Sequence, residues 1–586
     1  MLKKFFISML GTIAGVWISI VIFGLLCISI ISAIVASTVS DEMPVSDASV
    51  LHIKLSGSMP ERHQAVDIWQ VVQNAENNSE SLIDVLDALR LAANDAKIKG
   101  VYIEAERMEA GVSTHEELVA ALRDFKERSG KWVIAYGDSY SQGDYMLSSV
   151  ADSVYLNPFG GLDVRGVASQ VSFLKGLLDK LGVRMQIVRV GAFKSAVEPF
   201  ITNEMSPASR LQMQAMVDSI WTYMSDVVAT ERGVEVSKVD SWAENMISSW
   251  NADSVKNVGA VTALCYKREA EDVVLEKCGL DSDDSLPLVT PSEYLLLNNA
   301  VELDKKAHVA VLFANGDIVD KGDGGIVGEL MVPEILDLAD DDDVKGLVLR
   351  VNSGGGSAFA SEQIWEALEY FKSKGKPLYV SMGDYAASGG YYISCGADKI
   401  YADKTTLTGS IGVFGMIPDF SGLVSDKLGV TFSTVQSNPN AAITTMQPMT
   451  AQQLAAMQNS VNGIYETFTG RVAAGRGMSQ DSVKIIAEGR VWTGGAALEL
   501  GLVDEIGVLN DVIDDMLDET GLSRHEVVYY PKIKEEFAAT MLRKALNGVS
   551  INGVSVDEGT LQMMKFVDRM RTMSPIQARM PAIEIY

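Results

Sequence analysis

The chain has 586 residues, 47% of them apolar, and a formal net charge of −28. That length suits three or four average domains, or two large ones plus an anchor. The acidic balance argues against nucleic acid as a partner and against a domain lying flat on anionic lipid. The four cysteines (Cys27, Cys265, Cys278 and Cys395) have neither metal-ligand spacing nor a framework of pairs. Cys265 and Cys278 are free to pair or not.

Lys3 and Lys4 precede a run from Phe5 to Ser40 without a charge. A helix needs about 20 apolar residues to cross a bilayer. Residues 1–44 are therefore expected to be a cytoplasmic stub and a retained transmembrane helix. Cleavage near Ala36 is the alternative, but a signal peptide has an apolar core of only about 7–15 residues. Lysines before the run, and Asp41 and Glu42 after it, put the N-terminus in the cytoplasm and the rest of the chain outside.

The remainder repeats itself. Ile98-Lys99-Gly100 matches Val344-Lys345-Gly346, an offset of 246 (346 − 100) that also relates Gly137-Asp138 to Gly383-Asp384, Tyr155 to Tyr401 and Gly166 to Gly412. The expected division is 45–290 for the first copy, 305–520 for the second and 521–586 for an extension, read as helical. The seam near Asp281–Asp304 reads as a surface connection, and the acidic run Asp340–Asp343 as a solvated loop. Each copy opens with a strand, Val50–Leu55 or Val309–Phe313. Each continues as alternating helices and strands. In the second copy these are a helix near Pro333–Leu338, strand Gly346–Val351, helix Ser361–Lys372, strand Pro377–Met382 and a helix from Ser388. This alternation implies an α/β fold with parallel sheets and crossover helices. Strands such as Gly346–Leu349 are apolar on both faces, as a covered parallel sheet requires. Long helices close the copies, one from Ala208 to Glu231 and its counterpart from near Thr450.

The copies differ where chemistry is expected. Ser388 sits between a strand and a helix, preceded by Ala386-Ala387 and followed by Gly389-Gly390. Small neighbours admit a substrate backbone, and a helix N-terminus offers N–H groups to an oxyanion. The plainer reading makes Ser388 an N-cap. By the offset, Ser388 corresponds to Gln142 and Ser410 to Val164, so the first copy lacks both serines. Gly354-Gly355-Gly356 reads either as a flexible turn or as backbone approaching a carbonyl; the phosphate-loop pattern is absent. A serine nucleophile needs a base. The five histidines lie far from Ser388 in the chain, and Lys194 stands among apolar and small residues after the strand Met185–Val190. An ordinary lysine, with a pKa of about 10.4, is neutral in roughly one molecule in 2,500 at pH 7. Lys194 as a base requires a dry pocket with Glu198 turned away; a surface pair with Glu198 is the alternative.

Taken together, Lys194-Ser195-Ala196-Val197-Glu198-Pro199-Phe200, Asn352-Ser353-x-Gly355-Gly356-Ser357, Met382-Gly383-x-x-Ala386-Ala387-Ser388-Gly389-Gly390-Tyr391 and Leu407-Thr408-Gly409-Ser410-Ile411-Gly412 resemble the signal peptide peptidase A (protease IV) family in its long, duplicated form. The resemblance implies tandem Clp-protease/crotonase-like domains behind an N-terminal transmembrane helix. It implies a serine protease with Ser388 as nucleophile, Lys194 as general base and Ser410 holding the amine. The oxyanion would meet backbone amides of Gly355 or Gly356 and of Gly389. It implies no metal or cofactor, a homotetramer, and apolar peptides, above all cleaved signal peptides, as substrates. The catalytic part would face the periplasm from the cytoplasmic (inner) membrane. One departure is Gly354, where the family commonly has proline, which loosens that loop. The alternatives are an acyl-thioester enzyme of crotonase type and an inactive scaffold.

Overall fold

The computed structural model describes residues 48–63, 80–298, 307–322, 324–532 and 576–580. The expected anchor lies outside these residues. Among the described residues no helix is long and apolar enough to cross a membrane.

Two sheets form the two copies, parallel throughout except for the antiparallel edge strand Val491–Thr493 of the second. The first runs Ala263–Leu264, Ser153–Leu162, Trp132–Tyr140, Ile98–Glu109, Ser49–Ser58 and Leu288–Val289. The second runs Val491–Thr493, Leu407–Gly409, Leu378–Ala387, Val344–Ser353, His308–Asn315 and Val527–Tyr530, with Lys399–Ala402 and Glu505–Ile506 branching from it. The offset survives in three dimensions: strand Ile98–Glu109 answers Val344–Ser353, and helix Val112–Ser129 answers Ala358–Ser373. Central strands are buried on both faces; Val309 to Leu312 and Leu347 to Leu349 have no exposed surface. Crossover helices cover these faces, and their apolar stripes fill the cores.

Several boundaries moved. The helix expected near Pro333 begins at Gly328, so Pro333 lies inside it rather than at its start. Part of the seam is structured: Leu288–Val289 pairs with the first strand, and helix Pro291–Leu297 follows behind a Thr290–Glu293 capping box. The helical reading of the last sixty residues does not hold for Val527–Tyr530 or Ile576–Arg579, which are strands. Val527-Val528-Tyr529-Tyr530 is β-branched and aromatic, suited to the sheet edge it joins. Asp340–Asp343 is exposed, as expected. Cys265 and Cys278 are separate free thiols.

A third, mixed sheet joins the copies. It runs Ile326–Val327, Ile318–Val319, Gly355–Ser357, Ile576–Arg579, Val413–Asp419 and Arg184–Val190. Arg184–Val190 of the first copy pairs antiparallel with Val413–Asp419 of the second, with Val190 opposite Val413. The chain past Val190 is thereby delivered beside Gly412, at the end of the Ser410 loop. A buried ionic clasp fastens the copies elsewhere: Arg350 donates to Glu61 at 3.0 and 3.1 Å and to Glu117 at 2.8 Å.

Candidate active site

The strand Leu378–Ala387 ends at Ser388, and a short helix, Gly389–Ser394, begins directly after it. Ser388 has φ +56° and ψ −110°, a strained conformation for a residue with a Cβ. Its N–H donates to the Gly409 carbonyl at 2.7 Å, and its carbonyl accepts from the Tyr392 N–H at 2.8 Å. Its side chain makes no capping bond, which sets aside the N-cap reading. The hydroxyl is instead turned toward Lys194. The two glycines after Ser388 are required by space: a Cβ on Gly390 would lie 2.6 Å from the Ser353 carbonyl oxygen, and one on Gly389 2.8 Å from Ser361 Oγ.

Lys194 Nζ lies 2.7 Å from Ser388 Oγ, 3.0 Å from the Ser410 carbonyl oxygen and 3.1 Å from Ser410 Oγ. All three residues have no exposed surface. The alternative pairing of Lys194 with Glu198 does not occur. The Glu198 carboxylate accepts from the Ser206 hydroxyl at 2.6 Å and the Ser206 N–H at 3.1 Å, and Arg189 lies 4.0 Å away. Burial alone therefore acts on Lys194 and holds its pKa well below the ordinary lysine value. The geometry suits a neutral amine. Two N–H bonds serve the carbonyl and hydroxyl of Ser410, leaving a lone pair to accept from the Ser388 O–H.

Two segments that sequence reasoning passed over hold Lys194 in place. The Phe193 N–H donates to the Glu488 carbonyl at 2.9 Å, and a Cβ on Gly489 would lie 2.7 Å from the Lys194 Cβ. Gln212, on helix Pro207–Arg232, donates to Ser195 Oγ at 2.8 Å and to the Phe193 carbonyl at 3.2 Å, and accepts from the Val491 N–H at 3.2 Å. Glu488-Gly489 and Gln212 belong to no local motif; only their positions beside Lys194 identify them.

The glycine-rich segment is ordered as the strand Gly355–Ser357 rather than a flexible turn. The Gly355 N–H is committed inward, to Ser353 Oγ at 3.1 Å. The Gly356 nitrogen lies 3.1 Å from the point where a Gly389 Cβ would stand, so the Gly356 and Gly389 amides are neighbours beside Ser388. Each histidine is engaged elsewhere: His52 with Glu104, His63 with Asp84, His115 with Gly111, His308 with Tyr530 and His525 with Ser523. In the first copy, Gln142 occupies the position of Ser388 and ties down its own loop, accepting from the Arg165 and Gly166 N–H groups at 2.9 and 3.0 Å.

The family model described as "Peptidase family S49" matches residues 126–281 and 370–523, one stretch in each copy. Protease 4 of Haemophilus influenzae is 34% identical over 508 residues, covering 84% of this chain and 82% of that protein. Protease 4 of Salmonella typhi is 35% identical over 460 residues, covering 77% and 74%. The chloroplastic serine protease SPPA of Arabidopsis thaliana is 26% identical over 549 residues, covering 92% and 78%.

Proposed function

The chain is a duplicated serine protease of peptidase family S49, and we propose that it cuts peptides with a Ser388/Lys194 dyad. The observation that carries this is the 2.7 Å contact between Lys194 Nζ and Ser388 Oγ, made across 194 residues in a fully buried pocket. The neutral Lys194 amine takes the Ser388 proton as Oγ attacks a peptide carbonyl. The resulting oxyanion is held by the Gly356 and Gly389 amides, and the Lys194 ammonium protonates the leaving amine. Water, activated by the same amine, then hydrolyses the acyl-enzyme. Ser410 keeps the amine aimed through both reaction steps.

The reading extends to location and substrate. The uncharged run Phe5–Ser40 supports a single-pass anchor in the cytoplasmic membrane with the protease on its outer face. Cleaved signal peptides and other apolar peptides are the substrates in this reading, and a homotetramer the assembly. Both are carried by the family resemblance. The test uses the full chain in detergent on a quenched fluorescent peptide of apolar sequence. Wild type is expected to cleave, and Ser388→Ala and Lys194→Ala to fall to background while staying folded. A Lys194→Ala variant that cleaves like wild type overturns the dyad.

A further inference from the structure

The first copy has a cleft of its own at the place where the second carries Ser388. The strands Ile98–Glu109, Trp132–Tyr140 and Ser153–Leu162 end together around a cavity of about 430 Å³. The crevice outside the carboxyl ends of parallel strands is where α/β proteins bind ligands, and this volume suits a small molecule. By the offset of 246, the lining residues Tyr140, Ser141 and Asp163 answer Ala386, Ala387 and Gly409. Ala387 directly precedes Ser388, and the Gly409 carbonyl accepts the Ser388 N–H at 2.7 Å. The cavity is thus the first copy's counterpart of the catalytic cleft, without the counterparts of Ser388 and Ser410.

Most of the charges that line it are already paired. Glu104 is taken by His52 at 3.1 Å and by Lys267, Glu106 by Lys54 at 2.9 Å, and Asp163 by Arg165. One charge of each sign is left open. Asp138 meets only neutral donors: its Oδ1 accepts from the Tyr136 hydroxyl at 2.6 Å and from Asn157 Nδ2 at 2.8 Å, and its Oδ2 has no partner among the described residues. The exposed Arg107 guanidinium has neither an ion pair nor a hydrogen bond among the described residues, and the two do not pair with each other. Arg107 also stands in the left-handed region, with φ +70°. The buried Asp144 carboxylate fixes that turn by accepting from the N–H groups of Arg107 and, at 3.2 Å, of Met108. Backbone strain of this kind collects at functional sites, and here it holds an uncommitted arginine at the cavity wall.

We propose that this cavity binds short peptides with both termini free, the ammonium on Asp138 and the carboxylate on Arg107. A guanidinium edge presents paired N–H donors to a carboxylate, and an ionised carboxylate accepts from an ammonium. One open charge of each sign matches a zwitterion; a ligand of a single sign would leave the other charge unpaired against it. A long polypeptide cannot bring both of its ends into one cavity of this size, so the site separates short peptides from the chains they come from. Hydrolysis of a peptide bond makes one new amine and one new carboxylate, so such peptides are the end products of the second copy's reaction. That link rests on the Ser388/Lys194 reading; the binding itself needs neither residue.

The test uses the full chain in detergent, as Ser388→Ala so that nothing is cut, and measures binding of the tripeptide Ala-Leu-Ala by calorimetry. Binding is expected to be saturable. Adding Asp138→Asn or Arg107→Asn should weaken it about tenfold or more, the loss of one charge-assisted contact. Asparagine keeps the acceptor for Tyr136 at the first position and tolerates the left-handed region at the second, so both chains should melt like their parent. Acetylating the peptide's amine or amidating its carboxylate should weaken binding to the parent as much, and this arm decides the matter even if a substituted chain fails to fold. Occupancy of the Ser388 cleft would be indifferent to both substitutions. The proposal is overturned if the parent shows no saturable binding, if binding survives both substitutions in folded chains, or if the blocked peptides bind as well as the free one. Cleavage of a quenched peptide by wild type is scored separately: its absence sinks the Ser388/Lys194 reading and leaves the binding result in force.

Discussion

Gly489→Ala tests the position of Lys194 without altering any reacting group. Gly489 has φ +72°, and its added Cβ would stand 2.7 Å from the Lys194 Cβ and 2.9 Å from its Cα and Cδ. Carbon atoms pack at about 3.5–4.0 Å, so Lys194 must withdraw by about 1 Å. The 2.7 Å contact of Nζ with Ser388 Oγ then opens beyond hydrogen-bonding range. A displacement of that size costs on the order of 100-fold in rate, about 2.7 kcal/mol of barrier. Alanine at positive φ also strains the backbone by roughly 1 kcal/mol, and Gly233→Ala is the control for that term. Gly233 has φ +62° and nothing within 4 Å of its added Cβ. The assay is kcat/KM on a quenched peptide, with thermal melts of both variants. Gly489→Ala should lose about two orders of magnitude and Gly233→Ala almost nothing. Equal activity in the two folded variants would refute the argument that Lys194 must stand where it does.

Ser410→Ala removes one acceptor, 3.1 Å from Lys194 Nζ, and leaves the Ser410 carbonyl at 3.0 Å; kcat should fall about tenfold, roughly one hydrogen bond's worth, without loss of fold. The depressed pKa of Lys194 couples stability to pH. Between its folded value and about 10.4 the unfolded chain binds one more proton, so stability rises with pH. Urea titrations at several pH values should show that contribution, up to about 1.4 kcal/mol per pH unit, as a shallower rise in Lys194→Met than in wild type. Arg350→Met leaves the buried carboxylates of Glu61 and Glu117 without their guanidinium. It should cost about 3–5 kcal/mol in urea unfolding, largely recovered when both glutamates are also made neutral. Burial already pushes Glu117 up to about 7 against the pull of Arg350.

The repeat, the alternation of strands and helices, and the segments bearing Ser388, Ser410 and Gly354–Gly356 were legible in the amino-acid order. Side-chain periodicity and glycine placement act within a few residues, and a constant offset needs no coordinates. The Glu198 question and the capping role of Ser388 stayed open there, because both depend on what lies opposite. Tertiary structure decided them. Pairing of Arg184–Val190 with Val413–Asp419 carries Lys194 to Ser410 and Ser388 across 194 residues, and Ser206 takes up Glu198. The same third sheet receives Ile576–Arg579, which pairs with Gly355–Ser357 far back in the chain. Strand pairing between distant segments is chosen by the register and burial of the whole assembly, and desolvation of an amine exists only once that assembly closes around it.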